Sequence, residues 1–284
     1  MKMARRSIKS PGCFVYAIDA GPTGHRHPAM NVPTTPYEEA ARREMQTWAD
    51  QMRRRPSVMN RLAKSLQTRM NRIIPEKVHA VITGAIKHMT RAVLMGSEYT
   101  APTPVLDQSL PECESNVANR IAWYKRVGAA EGGLTGAGGL LIGLADFPLL
   151  LSLKMKLLYD IAALYGYDVK DYRERLYALH VFQLAFSSQS RRQAIFAQME
   201  RWDEHAHTLP DDINQFDWRT FQQEYRDYID LAKMLQLVPG IGAVVGVVAN
   251  WRLIDELGQT AVMAYRMRRL GLATPTTRRL PSVS

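Results

Sequence analysis

Apolar residues recur every three or four positions along most of this chain, the spacing of helices that bury one face. The first such stretch begins near Tyr37. Ala41, Met45, Trp48, Ala49 and Met52 make its apolar face, and Arg42, Arg43, Arg53 and Arg54 lie elsewhere. Pro56 opens a second helix with the stripe Val58, Leu62, Leu66 and Met70. Pro75 opens a third, through Val78, Ile82, Ile86, Met89 and Val93. A loop rich in Pro and Ser runs from Gly96 to Pro111. A helix through Val117, Ile121, Tyr124 and Val127 follows, and another runs from Asp146 to Tyr165 and stops at Gly166. Asp168 and Asp171 start the next, which bears Leu176, Leu179, Phe182 and Phe186. Ser190 and Gln193 have capping-box spacing ahead of Ile195, Phe196, Met199 and Trp202. Asp217 caps a helix through Phe221, Tyr225, Tyr228 and Leu235, and a last helix ends near Leu270 and Gly271. No stretch alternates with period two for long. The pattern predicts an all-α fold with one multi-helix domain over 37–271.

Two segments break the amphipathic pattern. The first is Gly-rich and apolar from Gly133 to Asp146, and the second runs from Val238 to Asn250. An offset of 104 residues aligns Gly136 with Gly240, Gly138 with Gly242, and Ala145-Asp146 with Ala249-Asn250. This is the pattern of an internal repeat. Glycines let helix backbones approach closely, so Gly136, Gly138, Gly139, Gly143, Gly240, Gly242 and Gly246 are the expected packing positions. The two segments are expected side by side at the centre of the domain, with Asp146 and Asn250 at equivalent ends.

Neither segment is a clean membrane span. The first gains sufficient length only by including Asp146 and Pro148, and the second soon meets Asn250, Arg252, Asp255 and Glu256. Both read as buried core helices.

Charge changes the picture. The chain has 284 residues and a net charge of +10, with 46% apolar and 23% charged residues, the composition of a globular protein. Residues 1–95 carry 17 Lys and Arg against 6 Asp and Glu, and the last 23 residues carry 5 against none. The stretch between them is net acidic. Residues 1–36, rich in Pro and Gly, read as a disordered basic lead, and 272–284 as a polar basic tail. Arg42, Arg43, Arg53, Arg54 and Arg55 are the candidate contacts to an anionic surface, either a membrane or a membrane protein. Sequence-specific nucleic-acid binding is not expected, because only Tyr37 and Trp48 are aromatic between residues 37 and 95. Two cysteines, Cys13 and Cys113, make neither a disulfide framework nor a metal pattern, and a reducing cytoplasm fits them. The start of the chain lacks the apolar core of a signal peptide.

Chemistry has few candidates. Asp146 and Asn250 form either a buried polar pair or, for Asp146, the cap of the helix after Phe147-Pro148. Glu131 brackets the first Gly-rich segment and serves as a possible helper or a structural acid. His205 and His207 point to different sides of a helix and lack a third ligand, so no metal is expected. No nucleophile elbow, phosphate-binding loop or zinc-protease helix is present, and no cofactor is called for.

Taken together these residues resemble the EcsC family. The resemblance rests on Tyr37-Glu38 with Trp48, Ile74-Pro75, Glu131-Gly132 and the Gly-rich run, and Ala145-Asp146-Phe147-Pro148. It continues through Tyr165-Gly166-Tyr167-Asp168 and Pro239-Gly240-Ile241-Gly242-Ala243 with Asn250. It covers 37–271. It implies a bacterial, helix-rich protein from a family named after a gene beside an ABC transporter, and it brings no catalytic residues with it. The expected function is a non-enzymatic accessory protein at the cytoplasmic face of the membrane, with a transporter as candidate partner. A hydrolase built on Asp146, Asn250 and Glu131 and a soluble protein-interaction module are the alternatives.

Overall fold

The computed structural model describes residues 35–54, 76–95, 101–136, 147–187, 189–215, 217 and 243–271, all within one unit spanning 35–284. Among the described residues there are eight α-helices, one 3-10 turn and no strand, so the all-α expectation holds. The helices are α1 (Pro36–Arg53), α2 (Glu76–Met95), α3 (Leu110–Gly136) and α4 (Phe147–Leu164). They continue with α5 (Tyr172–Phe186), α6 (Gln189–Glu200), α7 (Trp202–Thr208) and α8 (Ala243–Leu270).

Local chemistry sets the boundaries. α1 starts at a capping box: Thr35 Oγ1 accepts from the Glu38 amide, and Glu38 reaches back to the Thr35 amide. Its apolar stripe is seated in the core, with Ala41, Met45 and Ala49 all buried. α4 ends where Gly166 takes φ +88°, and the Tyr167 amide donates to the Ala162 carbonyl across the turn. The left-handed conformation suits glycine, and the paired bonds make a Schellman end. Asp171 caps α5 by accepting from the Arg173 amide. Ser190 lies inside α6 instead of capping it. Ser187 closes α5 in an extended conformation, and the helix resumes at Gln189.

α3 and α8 form the central antiparallel pair. Ile121 on α3 meets Gly258 on α8, and Gly128 on α3 meets Asn250 and Ile254 on α8. A methyl group at Gly258 would collide with the γ carbons of Ile121, and one at Gly128 would displace the end of Ile254 and crowd the Asn250 amide. The sequence placed the close approach at Gly139 and Gly242; these lie outside the described residues, as do Gly138, Gly143 and Gly240. The described ends of the two Gly-rich segments are helical: 133–136 closes α3, and 243–249, with Gly246, opens α8. The helix expected after Pro56 and that expected after Asp217 also fall outside.

α5 packs against α2, α4, α6 and α8 and is buried on all sides, from Arg175 to Phe186. A helix apolar nearly all round belongs in a core. The expected stripe of Leu176, Leu179, Phe182 and Phe186 is therefore part of a wider buried surface that includes Tyr177, His180 and Gln183.

Candidate functional site

Asn250 is the candidate residue whose surroundings are clearest. It sits in α8, 3% exposed, at the level where α3, α4 and α8 meet. Its side-chain nitrogen donates to the Gly128 carbonyl at 2.8 Å. Its side-chain oxygen accepts from Lys154 Nζ at 2.9 Å. Lys154 comes from α4 and is 1% exposed. The two contacts fix the amide orientation, since only the oxygen can face an ammonium. Gly128 makes room for this amide, whose nitrogen stands 3.1 Å from where a Cβ would be. The trio ties three helices together at a buried polar node.

Lys154 is the residue that sequence reading missed. The signal was available: Leu150, Leu151, Met155, Leu157, Leu158 and Ile161 mark the inner face of α4, and Lys154 falls among them. Lys156, two residues on, falls outside and is 57% exposed. Asp146 lies outside the described residues. Glu131 lies on α3 one turn beyond Gly128, with only its backbone described. Of the expected Asp146 and Asn250 pair only Asn250 is described, and it binds Lys154 and Gly128.

A second polar node lies nearer the start of α3. Glu114 receives two bonds from Arg266, Nε to Oε1 and Nη2 to Oε2, both 2.6 Å. Tyr37 Oη donates to the same carboxylate at 2.6 Å, and Tyr165 Oη at 3.1 Å. Arg266 also binds Glu44 at 2.6 Å. Burial pushes the Glu114 carboxyl up, but Arg266 and the two phenols outweigh it and hold the group below its usual range. Tyr37 and Tyr165, two of the residues that carried the family resemblance, are therefore the clamps on a buried carboxylate.

A third node stacks rings on a cation. Arg268 binds Glu174 through both nitrogens, at 2.5 and 2.8 Å. Its guanidinium lies 3.9 Å from the Tyr167 ring centre and 4.6 Å from that of Tyr177. Tyr177 donates to the Ala264 carbonyl at 2.9 Å. His180 is buried beside Trp202 and His205, with Nδ1 2.8 Å from the Leu176 carbonyl. Burial lowers its pKa to about 4, so the ring is neutral near pH 7. His205 is half-buried against Trp202, while His207 is exposed. Among the described residues no group of three metal-ligating side chains forms.

The predicted surface arginines have separate fates. Arg42 donates to the Leu270 and Gly271 carbonyls and closes the end of α8. Arg53 bonds Glu200 at 2.9 Å and Asp50 at 2.8 Å. Arg43 stands 3.9 Å from Glu39, with its side chain 71% exposed. Arg54 is exposed at the end of α1, and Arg55 lies outside the described residues.

Two clefts open on the surface. One, of about 230 Å³, lies between Trp48, Met52, Leu184 and Met263, with Arg192 and Glu256 on its walls. The other, of about 370 Å³, follows α3 past Asn116, Arg120, Trp123 and Arg126. Neither touches Asn250.

The family model for the EcsC protein family matches residues 39–270, from the second turn of α1 to the last residue of α8. The chain belongs to the EcsC family. Protein EcsC of Bacillus subtilis (strain 168) is 45% identical over 224 residues, covering 78% of this chain and 91% of that protein. Uncharacterized protein YdbA of the same organism is 32% identical over 171 residues, covering 60% of each. Both relatives are bacterial. No solved structure matches the chain.

Proposed function

We propose that this EcsC-family protein is a non-enzymatic accessory protein that works at the cytoplasmic face of the membrane, with a membrane transporter as its candidate partner. The observation that carries the reading is how charge is distributed. Inside, Glu114 with Arg266, Glu174 with Arg268, and Lys154 with Asn250 engage one another and bind helices together. The chain as a whole carries a net charge of +10, with its excess towards the two ends of the sequence. Such an excess of positive charge is attracted to anionic lipid over roughly a Debye length, about 8 Å at physiological salt.

No helix among the described residues is long and apolar enough to cross a membrane. The association proposed is peripheral, by surface charge. The test is fractionation of native cells at low salt, after a high-salt wash, and with detergent. Membrane recovery at low salt and release by salt is the expected result. A protein wholly in the soluble fraction at low salt rejects this reading in favour of a soluble interaction module. Release by detergent alone points to insertion.

A further inference from the structure

The basic ends of the chain are the obvious place to look for a lipid contact, but the folded domain carries a better-formed one in its acidic middle. From Cys113 to Gly128, α3 contains one carboxylate, Glu114, and α4 contains one, Asp160. Both are buried. Past its first turn, where Glu112 is exposed, α3 exposes small polar, apolar and cationic side chains, and α4 exposes Leu149 and Lys156. Arg120 and Arg126 flank Trp123 on α3, spaced three residues apart on either side, and Trp123 is 46% exposed. Arg120 stands 3.6 Å from Asp160, and Lys156 of α4 stands 3.7 Å from the same carboxylate. Asp160 therefore brings the two helices' cations to a common side.

α4 extends the face. Leu149, Lys156 and Asp160 are spaced seven and eleven residues from the first, within about 20° of one stripe on a helix of 3.6 residues per turn. Leu149 is 59% exposed. The surface thus has three cations, one buried carboxylate, an exposed carboxylate at its edge (Glu112), an open tryptophan and an open leucine. The cleft of about 370 Å³ runs past Arg120, Trp123 and Arg126. Tryptophan favours the level of lipid headgroups, and arginine favours their phosphates.

The geometry points to the α3–α4 face as the surface that docks on an anionic phospholipid bilayer, with Trp123 and Leu149 entering the headgroup layer and Arg120, Arg126 and Lys156 on phosphates. The occupant follows from charge complementarity: Arg120, Arg126 and Lys156 outnumber the two carboxylates of this face, buried Asp160 and exposed Glu112 at the start of α3. The inference rests on the membrane reading proposed above and specifies which surface performs it.

The test is co-sedimentation of the full-length protein with vesicles of phosphatidylglycerol and phosphatidylethanolamine, with phosphatidylcholine vesicles as control. Each cation near an anionic surface strengthens binding about fivefold, so the triple variant Arg120→Gln, Arg126→Gln, Lys156→Gln is expected to bind about hundredfold more weakly. A second variant, Trp123→Ala with Arg126→Gln, alters exposed groups only and leaves the Asp160 contacts in place. It is expected to lose binding while keeping the parent's circular dichroism and thermal midpoint. If the parent binds these vesicles and both variants bind equally well, the face is wrong and the basic ends hold the membrane. If the parent binds native membranes but not protein-free vesicles, lipid docking is overturned while a membrane-protein partner stands. If it binds neither, both readings fail together.

Discussion

Replacing Gly258 by alanine puts a methyl group where Ile121 already stands. A Cβ at Gly258 lies 2.7 Å from Ile121 Cδ1, 2.8 Å from Cγ1 and 3.1 Å from Cγ2. Rotating the end of the isoleucine moves only Cδ1. The two γ carbons are fixed by a χ1 that helices hold tightly for β-branched residues. Relief then requires α3 and α8 to separate, at the centre of the domain. Overpacking of this kind costs about 1–3 kcal/mol. Alanine recovers about 1 kcal/mol through its better helix propensity. With both γ carbons in contact the clash is at the upper end, and the net loss is about 1–2 kcal/mol. The thermal midpoint should fall by about 2–8 °C. Chemical denaturation of four proteins tests the cause: parent, Gly258→Ala, Ile121→Ala and the double variant. Ile121→Ala alone costs about 2–5 kcal/mol for its cavity. In that background the glycine substitution should change sign and stabilise by up to about 1 kcal/mol. Equal destabilisation in both backgrounds would falsify the close-approach argument.

Glu114→Gln removes the carboxylate that Arg266, Tyr37 and Tyr165 share, leaves a buried guanidinium short of its counter-charge, and should cost about 3–5 kcal/mol in urea unfolding. Because the Glu114 carboxyl is held below its usual range in the folded state, its stabilisation is complete at neutral pH. It is lost as acid titrates the group, and the Glu114→Gln variant should lack that acid limb. His180 acts in a higher window: its folded pKa of about 4 lies below the unfolded 6.5, so stability falls as pH drops between those values, by about 3 kcal/mol. His180→Phe should flatten the stability curve between pH 6.5 and 4, and an unchanged slope would assign the loss elsewhere. Arg268→Lys keeps the charge but loses the two-pronged bond to Glu174 and the stacking on Tyr167 and Tyr177. It should cost about 2 kcal/mol by the same measurement.

Much of the fold was legible because helix signals are local. The apolar period, Gly166, Asp171 and the Leu270–Gly271 end depend on neighbours in sequence, and each appears as expected. Ser190 misled because its capping-box spacing with Gln193 is also compatible with the interior of a helix. The polar nodes were harder to read. Glu114 and Arg266 are 152 residues apart, and nothing local in either marks them as partners. Asn250 stood out as a lone amide in an apolar run, yet its partner Lys154 hid in a Lys-Met-Lys triplet that resembles a solvated face. Only counting helical positions along α4 separates the buried lysine from the exposed one. Gly128 and Gly258, single glycines outside the Gly-rich runs, carry no such local mark, yet each faces a side chain of the partner helix at the α3–α8 contact. A cationic face in an acidic segment was likewise invisible to summed charge, because Glu114 and Asp160 are counted but buried.

The most direct measurement of the central claim is the affinity of the full-length protein for phosphatidylglycerol vesicles as a function of salt. The account predicts binding at low ionic strength that weakens steeply as the Debye length shrinks from about 10 Å at 0.1 M to about 3 Å at 1 M, with little binding to phosphatidylcholine at any salt. Equal affinity for neutral and anionic vesicles, or binding that is unchanged across that range of salt, would contradict it.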